Sequence, residues 1–470
     1  MFIRFFITSI FTLLISIYSA YAQQSALVPE SREQIQLSYA PLVSEVSESV
    51  VNVYAARRTV QPSPFAGDPF FERFFGRRGQ ERTQNSLGSG VIVSRDGMVV
   101  TNNHVIKGAD KVRIVHADGR EFEARIILKD EASDLAILKT VDRVRFKPMR
   151  LGDSDAAQVG DLVLAIGNPF GVGQTVTSGI ISAVARSTRG VSDFGFFLQT
   201  DAAINPGNSG GALVDMQGRL IGLNTAIFSR SGGSNGIGFA IPSNMVDVAI
   251  ESARFGDTLR RPWIGASFQE VDAEIAMSLG MTRPRGAMVT GVVRGGPAAR
   301  AGLRVSDVIL AVNDRNIPHV DALGYRLATV GIGNRARFTV LRKGKRRSID
   351  IVLRAAPQDV PARETTMPSR SALGTAVIAN LSPAIAQRVR LPEEKTGVVI
   401  MSIKPGSRAA ANRFRPGDII REIDGKAIER VGQVKQILDE PKRKWKIEIE
   451  RKGQRIVMAR NGSFFRQYSR

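Results

Sequence analysis

The stretch Gly286-Ala-Met-Val-Thr-Gly-Val-Val-Arg-Gly-Gly-Pro-Ala-Ala returns as Gly397-Val-Val-Ile-Met-Ser-Ile-Lys-Pro-Gly-Ser-Arg-Ala-Ala, 111 residues further on. The same offset carries Leu303 onto Phe414, Asp307 onto Asp418, Ile309 onto Ile420 and Ile317 onto Ile428. Turn glycines and apolar positions recurring in step mean that one small domain occurs twice. The C-terminal part of the chain is thereby confined to two similar units, read as residues 261–356 and 372–470. Between them, Pro357 to Ser371 is polar and proline-rich, the composition of a stiff linker, 357–371.

Upstream the texture differs. From Leu87 to Ile241 short β runs alternate with Gly and Asp turns: Gly90–Val93 and Met98–Thr101 flank Asp96-Gly97, and Val112–Val115 and Phe122–Ile126 flank Asp118-Gly119. Strands this short and evenly spaced indicate a sandwich or barrels rather than βαβ units. A helix is expected over 34–48 and another from Pro242 to Ala253, closing a domain that spans 23–260. Within it, residues 57–85 read as a flexible loop. It carries Phe65, Phe70, Phe71, Phe74 and Phe75 among charges, as a docking element or a merely sticky one would.

The N-terminus reads as a signal peptide, residues 1–22: Arg4, an apolar run from Phe5 to Tyr18, then the small-residue site Ala20-Tyr21-Ala22. No later run is long and apolar enough to span a bilayer, so the exported product is expected to be soluble. It contains no cysteine, and its folds must rest on their cores alone. Three histidines without paired spacing imply no metal and no cofactor. The net charge of +21 is spread along the chain, with one cluster at Lys442-Arg443-Lys444-Trp445-Lys446. No nucleic-acid motif accompanies it, which leaves peripheral contact with anionic membrane surfaces as the role for that charge.

The chemistry centres on Gly207-Asn208-Ser209-Gly210-Gly211. Glycines on both sides allow a sharp turn that presents the Ser209 hydroxyl and aims backbone amides at one point. The amides of Gly207, Asn208 and Ser209 are the candidates for an oxyanion hole. A serine hydroxyl needs a base. His104, after Thr101-Asn102-Asn103 at a strand end, fits that role; His116 and His319 read as surface residues. The imidazole in turn needs a carboxylate, and Asp134 leads directly into the apolar run Leu135–Leu138, where an unpartnered acid is costly. Asp130 and Asp153, its rivals, sit in polar turns.

Thr101-Asn102-Asn103-His104-Val105, Ser133-Asp134-Leu135-Ala136, Gly207-Asn208-Ser209-Gly210-Gly211 and Gly236-Ile-Gly-Phe-Ala-Ile-Pro242 resemble the HtrA family. The tandem repeat is similar to its PDZ domains, which points to the two-PDZ, DegP/DegQ-like (Do-type) periplasmic branch. The resemblance covers essentially the whole chain after residue 22. It implies a mainly β protein: a chymotrypsin-like domain of two six-stranded barrels followed by two α+β PDZ domains. His104, Asp134 and Ser209 would be the catalytic triad. Asn224, Thr225, Ala226 and Ile227 would line the specificity pocket, with Ile227 favouring small aliphatic P1 residues. Arg186 would relay PDZ occupancy, and the Phe-rich loop could block the site in resting oligomers. Peptide C-termini would be held by Ile264-Gly265-Ala266 in the first unit and Leu373-Gly374-Thr375 in the second; the same tripeptides can also be plain strand starts. The activity implied is a periplasmic serine endoprotease, built from trimers, acting on unfolded or damaged proteins with accompanying chaperone activity. The alternative is a chaperone or PDZ scaffold in which proteolysis is secondary.

Overall fold

The computed structural model describes residues 38–60, 81–168, 173–186, 196–205, 207–227, 235–357, 361–389, 391–392, 395–438, 444–461 and 464–469. The stretch read as a signal peptide and all five loop phenylalanines lie outside them.

After a short helix, α1 (Ala40–Ser47), six strands close the first barrel: β1 (Val50–Val60), β2 (Glu81–Ile92), β3 (Met98–Asn102), β4 (Lys111–Val115), β5 (Glu121–Asp130) and β6 (Leu135–Thr140). Their order is β1-β2-β3-β6-β5-β4, closed through β1 and β4. The run 57–85, expected to be a flexible loop, is strand at both ends. Arg57–Val60 pair with Glu81–Gln84, in a register that runs to Val60↔Glu81. Continued antiparallel pairing satisfies backbone groups that a loop would leave to water.

The second barrel is built from β7 (Arg150–Leu151), β8 (Leu162–Gly167), β9 (Thr175–Arg186), β10 (Phe197–Thr200), β11 (Ala212–Asp215), β12 (Arg219–Ile227) and β13 (Gly238–Pro242). The order is β11-β8-β9-β10-β13-β12, with β11 also pairing β12 to close six strands and β7 added alongside β12. Alternating Val, Ile and Leu on these strands fill both barrel interiors, and Val50, Val91, Val100, Leu135, Leu164, Ile166 and Leu223 share one buried cluster. The helix α2 (Asn103–Ile106) follows β3, and α3 (Ser243–Ala253) follows β13 where the sequence places it.

Each C-terminal unit is a small sheet with helices. The first contains β14 (Pro262–Trp263), β15 (Ala266–Glu270), β16 (Ala287–Val292), β17 (Val308–Val312), β18 (Arg315–Asn316), β19 (Arg335–Arg342), β20 (Lys345–Val352), β21 (Arg354–Ala355) and the helix α4 (Val320–Val330). The second contains β22 (Thr365–Thr366), β23 (Val377–Asn380), β24 (Val398–Ser402), β25 (Ile419–Ile423), β26 (Lys426–Ala427), β27 (Lys444–Arg451), β28 (Gln454–Asn461), β29 (Phe464–Ser469) and the helices α5 (Pro383–Val389) and α6 (Val431–Leu438). Asp307 and Asp418, matched by the repeat, are both buried and each is clasped through both carboxylate oxygens by an arginine, Arg342 and Arg451. The 111-residue offset thus marks equivalent buried aspartates, each paired with an arginine of a sheet strand of its unit (Arg342 on β19, Arg451 on β27).

Two features depart from the sequence reading. Part of the expected linker is folded: Thr365–Thr366 join the second unit's sheet and Met367 is buried in its core. The charged cluster at 442–446 includes a core residue, since Trp445 is 5% exposed and lies against Phe414.

The first unit is seated on the barrels through α4. Tyr325 is fully buried, stacked on Phe196 with ring centroids 3.9 Å apart, and its hydroxyl donates to Asp155 at 2.9 Å. Arg326 completes the contact with an ion pair to Asp155. Burial, reinforced by the Asp155 charge, pushes the Tyr325 phenol well above its ordinary range, so it stays a neutral donor.

Candidate active site

The strand β3 delivers Asn102 to the rim of the first barrel and turns into α2, which carries Asn103 and His104. Across the rim, Asp134 stands at the head of β6 with φ of +55°, a left-handed conformation that Asp tolerates better than most residues. The Asp134 carbonyl accepts the Asn103 amide at 2.9 Å and the Asn102 side chain at 3.1 Å, which holds that turn.

The Asp134 carboxylate faces three donors. Oδ1 accepts the His104 backbone N–H at 2.9 Å; Oδ2 accepts His104 Nδ1 at 2.7 Å and Thr225 Oγ1 at 2.8 Å. An ionised carboxylate can only accept, so Nδ1 is the donor in this contact. The side chain of His104 is 48% exposed and that of Asp134 11%, so the base is accessible and its anchor is not.

A second carboxylate supports this arrangement. Asp130 Oδ2 accepts the Ser133 amide (2.8 Å), the Ser133 hydroxyl (2.6 Å) and Arg261 Nη2 (2.6 Å), tying down the turn that presents Asp134. Burial alone would raise the Asp130 carboxyl, but the Arg261 charge and the hydrogen bonds from Arg261 and Ser133 outweigh it and hold it below the usual range. Asp130 is therefore a tether for the turn, not a free polar-turn residue.

The glycine-rich turn comes from the second barrel. Gly207 and Gly210 adopt φ of +98° and +83°. A Cβ on Gly210 would stand 2.1 Å from the Ser89 carbonyl oxygen, and one on Gly211 would stand 2.2 Å from that of Ile166, so no other residue fits either place. The turn is locked by Ser89 N to Ser209 O (2.8 Å), Ser89 Oγ to Gly207 O (2.6 Å) and Gly210 N to Asn224 O (2.8 Å). Asn208 N donates to Asn205 O at 3.0 Å and Gly211 N to Asn208 O at 2.8 Å. Among the described residues this leaves the amides of Gly207 and Ser209 without an acceptor. Asn208, included in the oxyanion set on sequence grounds, has its amide occupied; its side chain is fully buried, with neither amide atom hydrogen-bonded among the described residues.

Thr225 on β12 joins the two halves. Its hydroxyl donates to Asp134, while its carbonyl accepts Ser209 Oγ at 3.1 Å. In this state the serine hydroxyl donates to the Thr225 carbonyl. The sequence placed Thr225 in a specificity segment; no local signal marks it as a partner of a residue 91 positions earlier. Asn224 is likewise internal, fully buried, with Nδ2 donating to Ala212 O at 3.0 Å. Ala226 and Ile227 lie on β12, paired with Phe239 and Gly238, and Arg186 ends β9 opposite Phe197; the side chains of these three lie outside the described residues. The other two histidines are not free surface groups. His116, 11% exposed at its side chain, pairs with Asp118 at 3.0 Å, and His319 caps α4 by accepting the Ala322 amide.

In the first repeated unit, Gly265 has φ of +73°, and a Cβ there would meet the Trp263 ring at 2.9 Å. Ile264 O and Gly265 O accept Ala298 N and Val293 N, while the amides of Ile264 and Gly265 have no acceptor among the described residues. In the second unit the corresponding loop differs: Gly374 N donates to Ser371 O, Thr375 N to Met367 O and Ala376 N to Leu373 O. Leu373-Gly374-Thr375, expected to hold a carboxylate, therefore uses its Gly374 and Thr375 amides internally.

Two antiparallel six-stranded barrels that join an imidazole, a buried carboxylate and a serine on a glycine turn in one hydrogen-bonded chain define a trypsin-like serine peptidase, here followed by two PDZ units. Family profiles agree: a trypsin-like peptidase domain matches residues 88–223, and a PDZ domain matches 262–353 and 383–458. The chain is 38% identical over 456 residues to a probable periplasmic serine protease do/HhoA-like of Haemophilus influenzae, covering 93% of this chain and 94% of the relative. It is 36% identical over 453 residues to the periplasmic serine endoprotease DegP of Salmonella typhimurium, covering 91% and 92%. Among solved structures, the HtrA-type protease AlgW with decapeptide superposes with a TM-score of 0.52 at 43% identity, covering 68% of this chain and 99% of that one. The chain belongs to the HtrA family of serine endoproteases. Among the described residues, no helix is long and apolar enough to cross a membrane.

Proposed function

We propose that this chain is an exported, periplasmic endoprotease that degrades unfolded or damaged proteins, with His104, Asp134 and Ser209 as its triad. The observation that carries the reading is Thr225, whose hydroxyl holds Asp134 and whose carbonyl holds Ser209, bringing the three side chains into one network across the barrels. In the reaction Ser209 Oγ attacks the scissile carbonyl as its proton passes to His104 Nε2. Asp134 keeps the imidazole in register and stabilises the imidazolium. The oxyanion lies toward the amides of Gly207 and Ser209, each worth about 3–4 kcal/mol in a dry site. Collapse breaks the C–N bond, His104 gives its proton to the leaving amine, and water releases the acyl group by the same path in reverse.

The finer points follow from the resemblance and from the relatives' names. Export would use the first 22 residues, in keeping with relatives named periplasmic. The PDZ units would capture peptide C-termini and exposed segments, in keeping with AlgW, which was solved with a decapeptide. Cleavage after small aliphatic residues, Arg186 as relay, trimer-based assembly and chaperone activity belong to the same proposal. Degradation of an unfolded substrate such as casein tests it. The wild-type chain should digest casein and Ser209→Ala should not; aggregation suppressed with casein left intact by the wild type would favour the scaffold alternative.

A further inference from the structure

We propose that the second PDZ unit holds a segment of its own chain, residues 361–367, in the groove where a captured peptide C-terminus would lie. Met367 stands there in place of the terminal residue. This rests on reading the PDZ units as peptide-capture modules.

In such modules a peptide adds as an antiparallel strand beside a sheet edge, its C-terminal end meeting the loop that precedes that edge strand. In the second unit the edge strand is β23, preceded by the Leu373–Thr375 loop, and β22 already lies on its outer side. Thr365 pairs with Ile378 and Thr366 with Val377. Backbone bonds continue beyond the strand at both ends: Asn380 N to Ala362 O (2.8 Å), Met367 N to Ala376 O (2.9 Å) and Thr375 N to Met367 O (3.0 Å). The segment therefore runs antiparallel to β23 over 362–367 and reaches the loop at Met367, the polarity of a bound C-terminal peptide. The Met367 carbonyl accepts the loop amide that a terminal carboxylate would otherwise take.

The side chains agree. Met367 is 1% exposed and shares a core cluster with Leu373 and Ile378 and with Val431, Val434 and Leu438 of α6. Asn380 binds both sides: Nδ2 donates to Pro361 O at 2.8 Å, and Oδ1 accepts the Val431 amide at 2.7 Å. Glu364 pairs with Arg388 of α5. The first unit contrasts with this: β15 has β16 as its sheet neighbour and, among the described residues, no strand on its other side. The two repeats are thus unequal, one edge open and one filled.

A ligand tethered a few residues from its site has a high effective concentration, so a free peptide must displace it before entering the second groove. Capture then begins at the first unit, and release of 361–367 would expose a second site.

The test uses full-length protein in a Ser209→Ala background and a synthetic peptide, Pro-Ala-Arg-Glu-Thr-Thr-Met, with a free C-terminal carboxylate. Calorimetry should show one more binding site per chain in Met367→Asp than in the parent. Amide exchange across 376–380 should be about tenfold or more faster in the variant while β27 and β28 keep their protection. An equal, non-zero number of sites in the two forms, with an intact β27–β28 pair, would overturn the proposal. If Met367→Asp unfolds the unit, the pair Thr366→Cys with Val377→Cys decides: in a chain with no other cysteine, these neighbours should close a disulfide under mild oxidation. Failure to close it would overturn the proposal. Peptide binding to neither form would sink the capture reading itself, and the seating of Met367 would then stand or fall on the exchange result alone.

Discussion

Thr225→Val removes one hydroxyl and keeps the shape of the side chain, so it isolates the contact that links the barrels. Asp134 would lose one of the three donors on its carboxylate while keeping both bonds from His104. The Thr225 carbonyl, which positions Ser209, would be unchanged. A hydrogen bond to a charged group contributes about 1.5–3 kcal/mol. Only the part that strengthens as the imidazolium forms appears in the rate. At 1.36 kcal/mol per decade, kcat/KM should fall by at most about 10- to 100-fold, with the loss in kcat and little change in KM. Steady-state hydrolysis of a fluorogenic peptide gives both constants, and Thr225→Ser should restore most of the activity. A Thr225→Val enzyme with unchanged kcat would refute the reasoning, because Asp134 would then be held by other groups during turnover.

Gly210→Ala should abolish casein hydrolysis and lower stability by about 1–3 kcal/mol from backbone strain alone, with the clash at Ser89 adding to it, as urea unfolding would report. Tyr325→Ala should weaken the seat of the first PDZ unit by about 3–5 kcal/mol, the cost of deleting a buried aromatic, and separate its thermal unfolding from that of the barrels. Tyr325→Phe, which loses the hydroxyl's bonds to Asp155 and Ser154 and keeps the ring, should cost about 1–3 kcal/mol. Because the Asp130 carboxyl is held below its ordinary value, its contribution to stability is present above the unfolded value near pH 4 and disappears as pH falls through the folded one. Urea midpoints measured from pH 7 to pH 3 should therefore fall more steeply below about pH 4 in the wild type than in Asp130→Asn. Parallel curves would show that the Arg261 contact adds no pH-dependent stability.

Much of this architecture was readable because it depends on local chemistry. Short alternating runs with Gly and Asp turns indicated a sandwich or barrels, the family resemblance implied two barrels, and the 111-residue repeat declared two like units. The glycines of 207–211 announced a turn that the close approach to Ser89 and Ile166 demands. His104 and Asp134 were singled out through what each type of side chain needs near a serine, and the two are hydrogen-bonded at 2.7 Å. What stayed hidden was non-local. Thr225 looks like any strand threonine until folding brings it beside Asp134. Tyr325 sits in an ordinary amphipathic helix, and only the docked unit reveals Phe196 beneath it. Met367 lies in a polar, proline-bounded stretch whose composition is that of a linker. Its burial depends on an unpaired edge strand that no short window of sequence displays. The ends of the 57–85 run were misjudged for a related reason: charged residues obscure pairing that is made by backbone groups.

The joint action of the glycine-turn serine with the imidazole and its carboxylate is tested most directly by a fluorophosphonate probe followed by peptide mass analysis. Modification at Ser209 alone, at a rate cut by several orders of magnitude in a folded His104→Ala protein, is the result the network of hydrogen bonds predicts. Labelling of a different serine, or equal labelling of Ser209 without the imidazole, would contradict it.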